Sequence, residues 1–199
     1  RMEIILDNKD LDDLVDGHKI QVSIVKEMGK YKYLGEVVKI IGHKNDPGVD
    51  ILSIIYDHGI NDVFTDEVME GVNALPSEVL DSDRKGRKDL TDMTIFTIDG
   101  DDTKDIDDAI SISKKGENYI LGVHIADVSY YVKEGTALYK EAYSRGTSVY
   151  LVDRVVPMLP HKLSNGICSL NPNVDRLAIS CIMEITPNGK IVSHDIFES

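Results

Sequence analysis

Six aspartates stand within ten residues of this chain: Asp99, Asp101, Asp102, Asp105, Asp107 and Asp108, with Lys104 the one cation among them. Apolar segments abut the cluster on both sides, around Ile95, Phe96 and Ile98 before it and at Ala109-Ile110 after it. Two like charges about 4 Å apart repel by roughly 4 kcal/mol at an effective dielectric near 20. A fold that crowds so many carboxylates must raise their pKa values, splay them into water or hold cations. Hard oxygen donors without His or Cys suit Mg²⁺ or Mn²⁺. Two such ions about 3.5–4 Å apart can activate water and stabilise a leaving oxygen in phosphodiester hydrolysis. A calcium loop of the EF-hand type needs Gly at its sixth position and Glu at its twelfth. Counted from Asp99, those places hold Lys104 and Ile110, which excludes that loop. On pattern alone, a solvated acidic loop stays open beside metal binding.

The rest of the composition narrows the class. Of 199 residues 42% are hydrophobic, enough for a globular core, and 22 basic against 35 acidic residues give a net charge of −13. That balance argues against a simple nucleic-acid binder that grips through a basic surface, but not against a metal-dependent nuclease, which needs carboxylates at the scissile phosphate. No apolar run reaches the ~18–20 residues of a membrane helix, and no charged-then-apolar leader opens the chain. Cys168 and Cys181 cannot alone make a disulfide framework or a four-ligand zinc site. These features predict a soluble, cytoplasmic chain with no membrane partner.

The pattern predicts an α+β fold in three stretches. In residues 1–60, strands are expected at His18–Val25, Tyr31–Ile41 and Asp50–Tyr56, closely spaced as in a small antiparallel sheet or barrel. Residues 61–92 read as a helical connector and linker: Thr65 is an N-cap, the helix stops before Pro76, and the interleaved charges of Ser77–Asp92 read as solvated. Residues 93–199 form the second folded part. Strands are expected at Thr94–Ile98, Ala109–Ser113, Tyr119–Ala126, Thr147–Val152, Leu177–Thr186 and Ile191–Phe197, the last two joined by a turn over Pro187–Lys190. A helix over Thr136–Arg145 should end on Gly146.

The acidic segment from Thr97 to Ile110 closely resembles the aspartate motif of the ribonuclease II / ribonuclease R (RNB) family of 3′→5′ exoribonucleases. Further similar motifs follow in order: Val123-His124-Ile125-Ala126-Asp127-Val128-Ser129, Arg145-Gly146-Thr147-Ser148-Val149-Tyr150-Leu151, Val155-Val156-Pro157-Met158-Leu159-Pro160, Leu163-Ser164, Cys168-Ser169-Leu170 and Arg176-Leu177-Ala178. Upstream, Gly42 to Asp50 resembles the segment closing the second cold-shock domain of the ribonuclease R branch. The resemblance implies a partial OB-type (cold-shock) β-barrel followed by the N-terminal portion of an RNB-type α+β catalytic domain. It implies processive hydrolysis of single-stranded RNA from the 3′ end to nucleoside 5′-monophosphates, with Mg²⁺ (or Mn²⁺) as cofactor. Asp99, Asp105, Asp107 and Asp108 match the family's four active-site aspartates; Asp99, Asp105 and Asp108 are then metal ligands, and Asp107 the residue whose loss stops hydrolysis. Tyr150 matches the aromatic that stacks on a base at the RNA 3′ end. Asp101 and Asp102 fall where the family varies.

The same resemblance implies a fragment cut at both ends, with later active-site residues beyond Ser199 and the first cold-shock strands before Arg1. The expectation for such a piece is no exoribonuclease activity of its own, weak salt-sensitive RNA affinity, and a non-native dimer through exposed sheet edges. The rival reading is a non-catalytic RNA-binding module with a degenerate nuclease domain; the intact aspartate set favours the enzyme. Other candidates have plainer readings. His124 in an apolar strand reads as a packed histidine. Asp127 reads equally as a turn former or a support for the site. Cys168 with His161 lacks anything to orient a thiol nucleophile. Tyr31 and Tyr33 read as sheet-face residues, with stacking on RNA as the alternative.

Overall fold

Two units make up the chain: Arg1–Val63 with Tyr150–Val156, and Phe64–Val149 with Pro157–Ser199. The computed structural model describes residues 2–6 and 13–199.

In the first unit the alternation of Ile20, Val22 and Ile24 becomes strand β2 (His18–Gly29), which pairs antiparallel with β3 (Lys32–His43). Gly29 and Tyr31, both at positive φ, make the reversal between them. Four register shifts in this hairpin add twist to the ribbon. Strand β1 (Glu3–Leu6) lies on the other edge of β3 and runs parallel to it, giving the order β1-β3-β2. The all-antiparallel expectation fails here because β1 pairs with a strand two places on, not with its neighbour in sequence.

The expected third strand, Asp50–Tyr56, is a helix, α1 (Val49–Asp57). A short apolar run has no periodicity that separates strand from helix, and β-branched isoleucines biased the reading toward strand. The helix wins because Gly48, at φ 79°, turns the chain into it and because Val49 in its first turn and Ile55 in its last are both buried. α1 packs on β2 and β3. Its Tyr56 hydroxyl donates to Asp62 Oδ1 (2.7 Å) and bonds the Lys39 ammonium of β3, tying helix, strand and following loop together.

The second unit opens with α2 (Asp66–Asn73), capped as expected by Thr65, whose hydroxyl accepts from the Val68 N–H. A four-stranded antiparallel sheet follows, of β4 (Asp108–Lys115), β5 (Asn118–Ala126), β8 (Ala178–Ile185) and β9 (Ile191–Glu198), in that spatial order. Between β5 and β8 the chain makes α3 (Val128–Tyr131), α4 (Ala137–Arg145), the short strands β6 (Val149–Tyr150) and β7 (Val155–Val156), and a wide helical turn at Leu163–Ile167. Thr136 caps α4, and Gly146 ends it at φ 70°, the stop that the sequence predicts. Val68 and Val72 of α2 meet Leu138 of α4, Tyr131, Leu163, Ile167, Cys168 and Leu177 in one core. Spaced four apart, Val68 and Val72 lie on the same face of their helix.

Two expected strands shrink. Thr94–Ile98 is reduced to one bridge, Phe96 with Ile110, and Thr147–Val152 to the two residues of β6, because the chain reverses at once, Leu151 N–H bonding the Arg154 carbonyl (2.9 Å). In the sheet centre His124 is buried, with Nε2 3.0 Å from Ser111 Oγ and Nδ1 2.7 Å from Ser180 Oγ. Burial lowers its pKa, so it stays a neutral, packed histidine. Gly122 permits this: a Cβ there would stand 2.7 Å from His124 Nε2 and 2.9 Å from Ile182 Cδ1.

The charged stretch expected to be solvated is partly docked. Asp83 is buried; its carboxylate accepts from the Leu80 N–H (2.9 Å) and the Tyr130 hydroxyl (2.7 Å), which hold its pKa low. Arg87 makes an ion pair of 2.6 Å with Asp127, both side chains at 5% exposure or less. The Lys88 N–H bonds the Glu198 carbonyl (3.0 Å), so this segment runs against the end of β9. Alternating signs in a sequence do not reveal which charge finds a partner forty or a hundred residues away. Among the described residues no helix is long and apolar enough to cross a membrane.

Candidate active site

The aspartate cluster occupies the irregular segment that enters β4. Asp108 is the first residue of that strand, paired with Ile125, and the Asp107 carbonyl accepts from the Ala126 N–H (2.9 Å). Asp101 and Asp102 sit on an exposed turn closed by the Thr103 N–H on the Gly100 carbonyl (3.0 Å). Past the turn the chain is anchored from below. Ser169 Oγ donates to the Lys104 carbonyl (2.8 Å) and accepts from the Ile106 N–H (3.0 Å), while the Leu170 N–H bonds the Ile106 carbonyl (2.9 Å). Ile106 is half-buried between these bonds, and the carboxylates are carried on the residues around it.

The electrostatics of the four aspartates are uneven. The Asp107 carboxyl is pushed above the usual carboxylate range, first by loss of solvent around it and then by the charges of Asp105, Asp108 and Asp99. All four matched aspartates therefore share one electrostatic neighbourhood. Asp99 and Asp101 also line a cavity of about 940 Å³ in the second unit, with Thr103, Ile106, Ala109 and Arg176 among its walls. Among the described residues no three His, Cys, Asp or Glu side chains converge into a ready-made metal cage. The donor set nonetheless fits a hard divalent cation: carboxylate oxygens only, with the charges of Asp105, Asp108 and Asp99 raising the Asp107 carboxyl.

The other candidates separate cleanly. Asp127 caps α3, accepting from the Tyr130 N–H (3.1 Å), and pairs with Arg87. Burial alone would raise its carboxyl, but the hydrogen bonds from Arg87 and Ser129 outweigh that and hold it low. Cys168 is buried in the core and its thiol is pushed up to about 12 by burial, so it cannot supply a thiolate nucleophile at neutral pH. Tyr150 lies on β6 with its side chain largely exposed, in the first unit. In that unit Tyr31 is exposed on the β2–β3 turn and Tyr33 is half-buried on β3.

Sequence reasoning missed Ser169, Arg87 and Arg176. Cys168-Ser169-Leu170 and Arg176-Leu177-Ala178 stood out as motifs, but nothing local assigns Ser169 to a loop more than sixty residues earlier.

Two folded units and an aspartate loop at a strand entrance define the class of protein, and comparison with known families agrees. A model of the RNB domain matches residues 87–199, and one of a cold shock domain matches residues 1–65. The chain belongs to the RNB family. Ribonuclease R of Thermotoga maritima is 50% identical over 193 residues, which is 93% of this chain and 27% of that protein. Ribonuclease R of Escherichia coli is 42% identical over 169 residues, 84% of this chain and 21% of that protein. The chain thus spans about a quarter of the length of these relatives. A solved structure of Mycoplasma genitalium RNase R in complex with ribose methylated single-stranded RNA superposes with a TM-score of 0.91 at 30% identity, covering 99% of this chain and 31% of that one. Yeast Ssd1, a pseudonuclease, shares the fold at a TM-score of 0.71 and 20% identity.

Proposed function

We propose that this chain carries part of a ribonuclease R-type 3′→5′ exoribonuclease, comprising cold-shock residues 1–60, a connector at 61–92 and the beginning of the catalytic domain at 93–199. One observation carries the reading: Asp107 is crowded by the charges of Asp105, Asp108 and Asp99, which push its carboxyl up, in a loop whose backbone is held in place. Charge gathered at such a cost to ionisation fits a site that works with a cation and a phosphate.

In this reading Asp99, Asp105 and Asp108 hold divalent cations, Mg²⁺ or Mn²⁺. Bound there, the ions would supply an activated water and neutralise charge on the leaving oxygen, as in two-metal phosphodiester hydrolysis. Asp107 orients the attacking water and acts chiefly on the transition state, where negative charge builds on the phosphate oxygens. Tyr150 stacks on a base near the RNA 3′ end, a contact worth about 1–3 kcal/mol that any base can make. Sequence-independent grip follows from such a contact.

The pseudonuclease likeness favours a second reading, a non-catalytic RNA-binding module on the same fold. The two part on one experiment. The full-length protein containing this chain is given 5′-labelled single-stranded RNA, as wild type and as Asp107→Asn. Enzymatic function requires shortening from the 3′ end with monophosphate release, abolished in the variant while RNA retention on filters is unchanged. RNA binding with no shortening by the wild type establishes the module instead.

A further inference from the structure

The aspartate loop has a feature that its charges do not explain. Like charges in sequence push a loop open, yet Asp105 is flanked on both sides by backbone groups bonded to one hydroxyl. Ser169 is fully buried at 0% exposure, and its Oγ spans from the Lys104 carbonyl at 2.8 Å to the Ile106 N–H at 3.0 Å. Asn171 Oδ1 lies 3.3 Å from the same oxygen. A hydroxyl offers a donor and an acceptor on one small atom, which few side chains of this size can do. Ser169 is itself fixed through its backbone: its N–H bonds the Gly166 carbonyl (3.0 Å), and its carbonyl accepts from Arg176 Nε (2.8 Å).

We propose that Ser169 is a positioning residue for the metal-binding aspartates, a buried clamp that keeps Asp105 and its neighbours gathered against their own repulsion. The inference rests on the metal reading of the loop given above. Truncating the clamp leaves a carbonyl and an N–H without their partner in a buried place, and the loop relaxes toward the splayed arrangement that separated carboxylates prefer. A hydroxyl that merely filled the core would cost stability when removed and leave cation affinity alone.

The test uses the 199-residue chain, with Mn²⁺ binding followed by electron paramagnetic resonance, amide exchange at Ile106 by NMR, and melting temperature. Ser169→Ala should weaken Mn²⁺ binding about ten-fold, the usual effect of losing a group that orients metal ligands, and should speed exchange at Ile106. Ser180→Ala is the control: it removes another fully buried hydroxyl in the same unit, bonded to His124, and should lower the melting temperature while leaving Mn²⁺ affinity within about two-fold. If Ser169→Ala fails to fold, Ser169→Cys, similar in size and a poorer donor and acceptor, carries the same comparison. Wild-type Mn²⁺ affinity in the Ser169 variant, or an equal loss in Ser180→Ala, overturns the clamp. Asp105→Asn separates the two ideas: if it loses Mn²⁺ binding and the Ser169 variant does not, the clamp alone fails. If the wild-type chain shows no specific Mn²⁺ site, or Asp105→Asn binds Mn²⁺ as tightly as the wild type, the metal reading fails with it.

Discussion

Two acidic regions of the second unit treat the same side chain in opposite ways. At the base of the sheet, Asp127 and Asp83 are buried but matched, by Arg87 in one case and by an N–H and a tyrosine hydroxyl in the other, and their carboxyls are held low. At the entrance of β4, Asp107 is crowded by the charges of Asp105, Asp108 and Asp99, and its carboxyl is pushed up. Burial opposes ionisation in both places; the partner decides which way the balance falls. Matched carboxylates tie the fold together, and the crowded one is held above its ordinary range.

The largest effect should come from breaking the matched side. Arg87→Met leaves Asp127 as an uncompensated buried charge and should cost about 3–5 kcal/mol, read by urea unfolding of the second unit. A change under about 1 kcal/mol would remove the contrast between the regions. Next is the unmatched side: Asp107→Asn in the full-length protein should cut single-turnover cleavage by about 10²–10³-fold with RNA affinity unchanged. Near wild-type cleavage would sink the catalytic assignment.

A pH titration of stability sharpens the same comparison. The folded pKa of Asp127 is depressed, so its contribution is present above the ordinary carboxylate value of about 3.9 and is lost as pH falls through the folded pKa. The folded pKa of Asp107 is raised, so its contribution is fully present below that ordinary value and is lost as pH rises through the folded pKa. Asp127→Asn should therefore flatten the acid limb, and Asp107→Asn should flatten the opposite slope; equal and parallel curves would contradict the two directions. The smallest effect is in metal-free buffer, where Asp107→Asn should raise the melting temperature by about 1–2 °C, the scale of a solvent-facing charge. A lower melting temperature would mean that the aspartates do not repel one another in the folded chain.

What could be foreseen divides by distance along the chain. The ends of α4 were legible because Thr136 and Gly146 act within their own turn, and β8 with β9 because Pro187–Lys190 closes a hairpin locally. The aspartates were visible as a cluster, but the raised carboxyl at Asp107 depends on how the loop brings Asp99 and Asp105 beside it. α1 was misread because Ile51–Tyr56 carries no period long enough to choose between strand and helix. Ser169, Asp83 and Arg87 were invisible because the partners that fix them, Lys104 and Ile106 for the first, Tyr130 for the second, Asp127 and Ser199 for the third, lie 40 to 112 residues away.

The segment around Arg87 also sets an order of events for a chain being made. Arg87 bonds the carbonyls of Ala178 and Ser199, partners 91 and 112 residues later. At synthesis rates of about 5–20 residues per second, its guanidinium waits roughly 6–22 s for the last of them to be made. Through that interval the core of α2 and α4 can assemble from nearer contacts, while β5 has only β4 beside it and lacks β8. Closure of the long loop comes last and is the slow, entropically costly step. Refolding of the whole chain should accordingly end on the seating of Arg87 and Lys88 against residues 178–199, the longest loops that this segment closes.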